Sequence, residues 1–161
     1  TAAFIGRRED ALLLGPGGAG KSHLAQAIGQ AAIQQGYRVL YRETHVLLEE
    51  LAEAVIDGTR RPYMESITTV PLLIIDDFGM RKLASTEAQD LCELLEERSV
   101  GKSTVVTTQL PLEHWSEVIG DSVIHDAIKD RLKHAALSFH ITGPSYREVM
   151  AKNLASGKEK Q

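Results

Sequence analysis

A glycine-rich segment that ends in a lysine and a serine lies near the start of the sequence. It consists of Gly15, Pro16, Gly17, Gly18, Ala19, Gly20, Lys21 and Ser22. The spacing G-x-x-x-x-G-K-[ST] is typical of the Walker A phosphate loop, whose backbone N–H groups point inward at phosphate oxygens because glycine permits the tight curl. In that chemistry Lys21 reaches the β- and γ-phosphates and the Ser22 hydroxyl ligates Mg²⁺. The alternative is a glycine-rich turn that binds nothing.

The sequence on either side of this loop favours the phosphate-binding interpretation. The apolar run 11–14 predicts a buried strand before the glycines, and a helical pattern begins at Lys21. A helix that starts at the loop directs its positive end at the bound anion. We therefore predict ATP and Mg²⁺ as ligands, and we expect His23 to line the same site through its backbone.

Two adjacent carboxylates, Asp76 and Asp77, follow the apolar run 72–75. Close like charges repel, so a buried strand that ends in two acids predicts a cation nearby. A Walker B element supplies that cation: Asp76 would hold Mg²⁺ through its water shell, and Asp77 would polarise the attacking water. Many such ATPases carry glutamate at the second position, and the shorter Asp77 predicts slow turnover. The alternative is an Asp-Asp-Phe-Gly turn that only ends the strand.

Apolar runs alternate with helical patterns along the chain, which predicts an α/β fold with a parallel sheet between helices. Five strands are expected, at 11–14, 37–41, 72–75, 104–107 and 137–141. Helices are expected from residue 21 and over 46–56, 86–99 and 121–135. In the first helix we expect Leu24, Ala27, Ile28 and Ala31 to form the buried stripe.

A polar side chain at the end of the fourth predicted strand is a candidate for the nucleotide site. Gln109 follows two threonines there, and the loops after parallel strands meet at one edge of the sheet. Gln109 would then stand between Asp77 and the γ-phosphate. The alternative is a polar residue that merely terminates the strand.

The composition limits the number of domains and the classes of partner. The chain has 161 residues with 43% hydrophobic residues and a net charge of −4, which predicts one globular domain without global attraction for nucleic acid or anionic lipid. We expect an ATPase core over 1–150 and a polar tail over 151–161. No apolar run is long enough for a membrane span, and the single cysteine, Cys92, suits a cytoplasmic location. The chain begins at Thr1 without Met, which suggests an excised domain.

The order of phosphate loop, acidic strand end and polar strand end resembles the AAA+ core. Longer segments of the second half resemble IstB-like transposition helper ATPases, and DnaC-type helicase loaders share the same core. These segments are 72–79, 103–115, 119–121, 127–135 and 141–147. Family members usually carry a further segment before the core.

The resemblance implies a DNA-stimulated ATPase that forms a homo-oligomer on double-stranded DNA and assists a transposase in target-site selection. It implies that Arg131 is an arginine finger acting on the neighbouring subunit's ATP, although Arg131 could instead be a helix-surface residue. It also raises Arg147 as a second sensor from a lid that is short or absent. Alternatives are a helicase loader that uses ATP as a timing switch and, with less support, a small-molecule P-loop kinase.

Overall fold

A computed structural model of the chain describes residues 3–18, 20–133 and 137–141. Its strands form one parallel sheet in the order β2-β3-β4-β1-β5. They span Ala11–Leu14 (β1), Val39–Glu43 (β2), Leu72–Phe78 (β3), Ser103–Thr108 (β4) and Leu137–His140 (β5). The expected α/β class with a parallel sheet is confirmed. Any lid, Arg147 and the tail 151–161 lie outside the described residues.

Helices cover both faces of this sheet. They span Ala3–Gly6 (α1), Lys21–Gln34 (α2), Thr44–Asp57 (α3), Arg60–Thr69 (α4), Ser85–Arg98 (α5) and Ser122–Lys133 (α6), with a 3-10 helix at Leu112–Glu117. Side chains alternate along each strand, so Leu13 and Ile74 pack with α1 and α2, whereas Leu73 and Ile75 pack with the remaining helices. Because all strands are parallel, their carboxyl ends lie along one edge of the sheet.

The buried stripe of α2 differs from the expected one. Its innermost residues are Ala25, Gly29 and Ala32, whereas Leu24 is 39% exposed and Ala27 lies at the surface. The helix lies so close to the sheet that a Cβ added at Gly29 would come within 3.1 Å of the Ile74 side chain. Close approach therefore selects small residues for the inner face. The expected stripe is half right, because Ile28 and Ala31 pack against the core while Leu24 and Ala27 do not.

Helix α4 is absent from the sequence-based expectation. It carries Pro62 in its first turn and is mostly polar, so neither propensity nor pattern indicates a helix. Proline is tolerated there because the first N–H groups of a helix have no intrahelical partner. Only Met64 and Ile67 are buried, and they pack into the large core with Leu47 and Leu51 of α3.

A buried arginine at the end of α5 links α4 to β4. The Arg98 side chain is 1% exposed. It donates hydrogen bonds to the carbonyl oxygens of Ile67 (2.9 Å), Val70 (2.8 Å) and Ser103 (2.5 Å) and to Oγ1 of Thr104 (2.9 Å). Burial lowers the pKa of Arg98 to about 10, partly opposed by Asp10, so the guanidinium stays charged at neutral pH. Arg98 thus satisfies carbonyls that the last turn of α4 leaves without partners.

We expect Arg98→Met to lower the free energy of unfolding by about 3 kcal/mol, because several buried carbonyls would lose their donor at about 1–3 kcal/mol each. Urea unfolding followed by circular dichroism measures the change. Arg61→Met, which alters an exposed arginine of the same region, should leave stability within about 0.5 kcal/mol of the parent. Equal stability of the two variants would refute this role for Arg98.

Candidate nucleotide site

The glycine-rich loop joins the end of β1 to the start of α2, as its sequence context predicts. Gly20 adopts φ 93°, a left-handed conformation that favours glycine, at the residue before the helix. Gly15 lies against the backbone of Ile141, where an added Cβ would be 2.6 Å from the carbonyl oxygen. Both positions therefore exclude larger residues. Gly17, Gly18, Pro16 and Ser22 belong to the same described loop, whereas Ala19 lies outside the described residues.

Lys21 folds back over this loop. Its Nζ donates a hydrogen bond to the Pro16 carbonyl oxygen at 2.7 Å, and the residue is 6% exposed. Burial lowers the pKa of Lys21, while Asp77 and Asp76 act in the opposite direction. The ammonium group therefore lies within the concave side of the loop and close to both acids.

Asp76 is almost fully buried at 2% exposure and is surrounded by hydroxyl groups from three elements. Ser22 of α2 lies 3.2 and 2.9 Å from the two carboxylate oxygens. Thr107 of β4 donates to Oδ1, and Tyr41 of β2 donates to Oδ2. A buried charge is stable only when it is paired or hydrogen-bonded, and this arrangement supplies the donors.

Asp77 leaves the strand in an unusual backbone conformation. Its φ of 57° lies in the left-handed region, and the pairing of β3 with β4 is irregular between Ile75 and Phe78. The Asp77 N–H donates to Oγ1 of Thr107 at 2.9 Å. Burial, then Asp76 and Glu43, raise the pKa of Asp77, and Lys21 opposes them. A non-glycine residue held at positive φ is a feature that clusters at functional sites.

Gln109 reaches the phosphate loop from the end of β4. A Cβ added at Gly17 would lie 2.9 Å from Oε1 of Gln109, so the amide sits directly against the loop backbone. Its Nε2 also lies 3.0 Å from Sδ of Met80, in the turn after β3. The fold thus brings together the predicted loop, both acids and Gln109.

Arg131 lies elsewhere. It lines a surface cleft with Asp10, Glu96 and Asp130, and Asp10 directly precedes β1. The phosphate loop follows the opposite end of β1, which spans about 13 Å. The side chain is exposed, and the fold does not place it beside Lys21 of the same chain. His23 is also exposed, at the rim of a cleft between α2 and β2.

Sequence reasoning missed Tyr41, Thr107 and Glu43. The register places Glu43 beside Asp76, with Tyr41 two residues earlier on the same edge strand. These residues sit at or near predicted strand ends, which is a usable signal. Their contacts with Asp76 depend on which strands are neighbours, however, and no local sequence pattern predicts the strand order.

The residues at this sheet edge fit a magnesium nucleotide. Ser22 donates its proton to Asp76, which leaves hydroxyl lone pairs free for a cation. Hydroxyl and carboxylate oxygens are suitable ligands for Mg²⁺, which usually takes few protein ligands and completes its shell with phosphates and water. The described residues contain no group of three or more His, Cys, Asp or Glu that could hold a metal ion.

Comparison with known proteins identifies the family. The profile described as IstB-like ATP binding protein matches residues 1–154. The chain belongs to this family. This match confirms the resemblance to the IstB-like family noted in its sequence.

Relatives of this chain are ATP-binding proteins of insertion sequences. It is 36% identical over 160 residues to that of IS5376 from Geobacillus stearothermophilus, covering 99% of this chain and 63% of the relative. It is 35% identical over 145 residues to the ATP-binding protein of IS21 from Pseudomonas aeruginosa, and the match covers 90% of this chain and 55% of the relative. The chain therefore spans only about three fifths of the length of these relatives.

Solved structures show the same fold at low sequence identity. Domain III of the replication initiation protein DnaA from Thermotoga maritima superposes with a TM-score of 0.78 at 23% identity, covering 98% of this chain and 65% of that one. The DnaC helicase loader superposes with a TM-score of 0.72 at 21% identity, and the match covers 87% of this chain and 85% of that one. Within the described residues, no helix has both the length and the apolar character needed to span a bilayer.

We expect Lys21→Ala to abolish tight ATP binding while leaving the fold intact, because the variant loses the ammonium group that a phosphate loop uses to contact the β- and γ-phosphates. Titration with a fluorescent ATP analogue measures affinity, and circular dichroism reports the fold. The control is Lys102→Ala, which removes a partly exposed lysine directly before β4, at the opposite edge of the sheet from the loop. Unchanged affinity in folded Lys21→Ala protein would refute the assignment.

Proposed function

We propose that this chain is the ATPase core of a transposition helper, which converts ATP and water to ADP and phosphate. The observation that supports hydrolysis is the convergence of Lys21, Asp76 and Asp77 at one sheet edge. Lys21 is suited to the β- and γ-phosphates, while Ser22 and Asp76 are suited to hold Mg²⁺. Mg²⁺, when bound, neutralises charge on the transferred phosphoryl group.

Asp77 is the proposed base that polarises the attacking water. Its raised pKa makes the carboxylate more basic than an exposed aspartate, which favours acceptance of a proton. Its short side chain and strained backbone give little freedom to adjust, so we propose slow intrinsic turnover. Gln109, which lies against Gly17, is suited to orient that water by its amide.

We expect Asp77→Asn to retain ATP binding and to hydrolyse ATP at least about 100-fold more slowly, in keeping with the usual contribution of a positioned general base. Phosphate release under saturating ATP measures turnover, and analogue binding measures affinity. Asp57→Asn, at the exposed end of α3, is the matched control. Wild-type turnover in Asp77→Asn would assign the base to another residue.

Arg131 is proposed to act on the ATP of a neighbouring subunit. Its location beside Asp10, at the edge opposite its own phosphate loop, supports action in trans rather than in cis. Guanidinium is suited to the role because it neutralises charge that develops on the γ-phosphate. This role requires a homo-oligomer in which the cleft of one subunit faces the loop of the next.

Double-stranded DNA and a transposase are the proposed partners, on the grounds that the relatives belong to insertion sequences. Several arginines outside α6 are paired with acids: Arg7 with Glu9, Arg60 with Asp90 and Glu93, and Arg81 with Glu87. The last turns of α6, with Lys129 and Lys133, are therefore the better DNA candidate. Binding to a replicative helicase instead of DNA would favour the loader function.

A mixing experiment tests assembly and DNA together. Lys21→Ala protein lacks a working site and Arg131→Ala protein lacks a finger, so each should be inactive alone. Their mixture should recover part of the wild-type turnover, because the Lys21→Ala subunit supplies its arginine to a neighbour's ATP. Duplex DNA should raise this rate, and added salt should suppress the stimulation.

Full activity of Arg131→Ala alone would contradict the finger. Recovery without any effect of DNA would support assembly and contradict the proposed DNA partner. The mixture should be made with the longest available form of the protein, because the chain spans only part of its relatives.

A further inference from the structure

We propose that Tyr41 is a positioning residue that holds the Asp76 carboxylate in the orientation needed for Mg²⁺. The inference rests on the proposed function of Asp76 and assigns a role to the β2 edge strand in the metal site. Tyr41 lies on β2 opposite Ile74, and its hydroxyl extends along the sheet to the carboxylate two residues further on.

Tyr41 acts as the donor in this contact. A phenol keeps its proton at neutral pH, and the Tyr41 hydroxyl lies within hydrogen-bonding distance of Oδ2. A carboxylate cannot donate in return, so the direction of the hydrogen bond is fixed.

The number of donors around Asp76 shows that Tyr41 need not leave when a cation binds. An ionised carboxylate offers about four lone-pair positions. The hydroxyls of Ser22, Thr107 and Tyr41 supply three protons to it. One acceptor position thus remains for a water of the magnesium shell. Tyr41 and Thr107 hold opposite oxygens of the group, which prevents its rotation.

Gln26 of α2 lies on the same cleft as Tyr41. Both residues line the cleft between α2 and β2. Gln26 lies four residues after Ser22, hence one turn further along the same face of α2. The helix that begins at the phosphate loop therefore contacts Asp76 through Ser22 and lines, one turn later, the cleft that also contains Tyr41.

The chain offers a matched comparison for this interaction. Tyr63 in α4 donates its hydroxyl to Glu50 at 2.5 Å, which is another tyrosine–carboxylate contact, and burial raises the Tyr63 pKa. Glu50 also pairs with Arg42 and is not one of the strand-end acids of the nucleotide site. Removing either hydroxyl deletes one hydrogen bond of the same kind, but only Tyr41 contacts the proposed metal residue.

The test is a Mg²⁺ titration of nucleotide binding rather than a rate. Wild type, Tyr41→Phe and Tyr63→Phe are titrated with Mg²⁺ at fixed fluorescent ATP analogue, and affinity is also measured in EDTA. We expect Tyr41→Phe to raise the half-saturating Mg²⁺ concentration about tenfold, the lower end of the effect of losing a partner of a metal ligand. Its affinity in EDTA should equal that of wild type, and Tyr63→Phe should match wild type in both conditions.

Three outcomes overturn the inference. An unchanged Mg²⁺ dependence in Tyr41→Phe shows that the hydroxyl does not position Asp76. Equal losses with Mg²⁺ and with EDTA show a general structural role, as does an equal effect of Tyr63→Phe. Failure of the proposed function is distinguishable, because wild type itself would then show no effect of Mg²⁺ on nucleotide binding.

Discussion

The site depends on keeping a charged carboxylate buried at the end of a strand. An isolated carboxylate at the 2% exposure of Asp76 would be strongly unfavourable, and it is retained because Ser22, Tyr41 and Thr107 converge on it. These donors come from a helix and from both neighbouring strands. The same contacts that stabilise the charge also fix where α2 begins, and where β2 and β4 end, relative to β3. The stability of the fold and the geometry of the site therefore depend on the same contacts.

The strand order makes this convergence possible. Since β3 lies between β2 and β4, and β4 lies next to β1, the loops that follow these four strands are adjacent along the carboxyl edge. Thr107 illustrates the consequence, because its one hydroxyl accepts from the Asp77 backbone and donates to Asp76. The bulge after Ile75 then turns Asp77 away from regular pairing. The two neighbouring acids therefore differ: the Asp76 carboxylate is hydrogen-bonded, whereas the Asp77 backbone has a strained, positive φ.

Local patterns in the sequence were sufficient to predict that the loop, the acids and Gln109 lie together, because each pattern falls at one strand end. Tyr41 and Thr107 could not be assigned in this way, since their partners are 35 and 31 residues away and depend on register. The stripe of α2 was predicted only in part for a related reason. Its distance from the sheet, set by contacts such as Gly29 against Ile74, decides which residues are inside. The sequence of helix α4 indicates a helix only weakly. Arg98 of α5 donates the hydrogen bonds that the carbonyl oxygens of the last turn of α4 lack within the helix.

The separation of Arg131 from the phosphate loop has a thermodynamic consequence under the proposed function. A nucleotide contacted by Lys21 of one subunit and Arg131 of the next binds the assembled state more tightly than the free subunit. By linkage, ATP then stabilises assembly to the extent that it prefers the composite site. Loss of the γ-phosphate removes the group that both cations contact, so hydrolysis weakens the interface from inside the site. Slow hydrolysis by Asp77 would set the lifetime of such an assembly, which is a reason for a helper protein to retain the shorter acid.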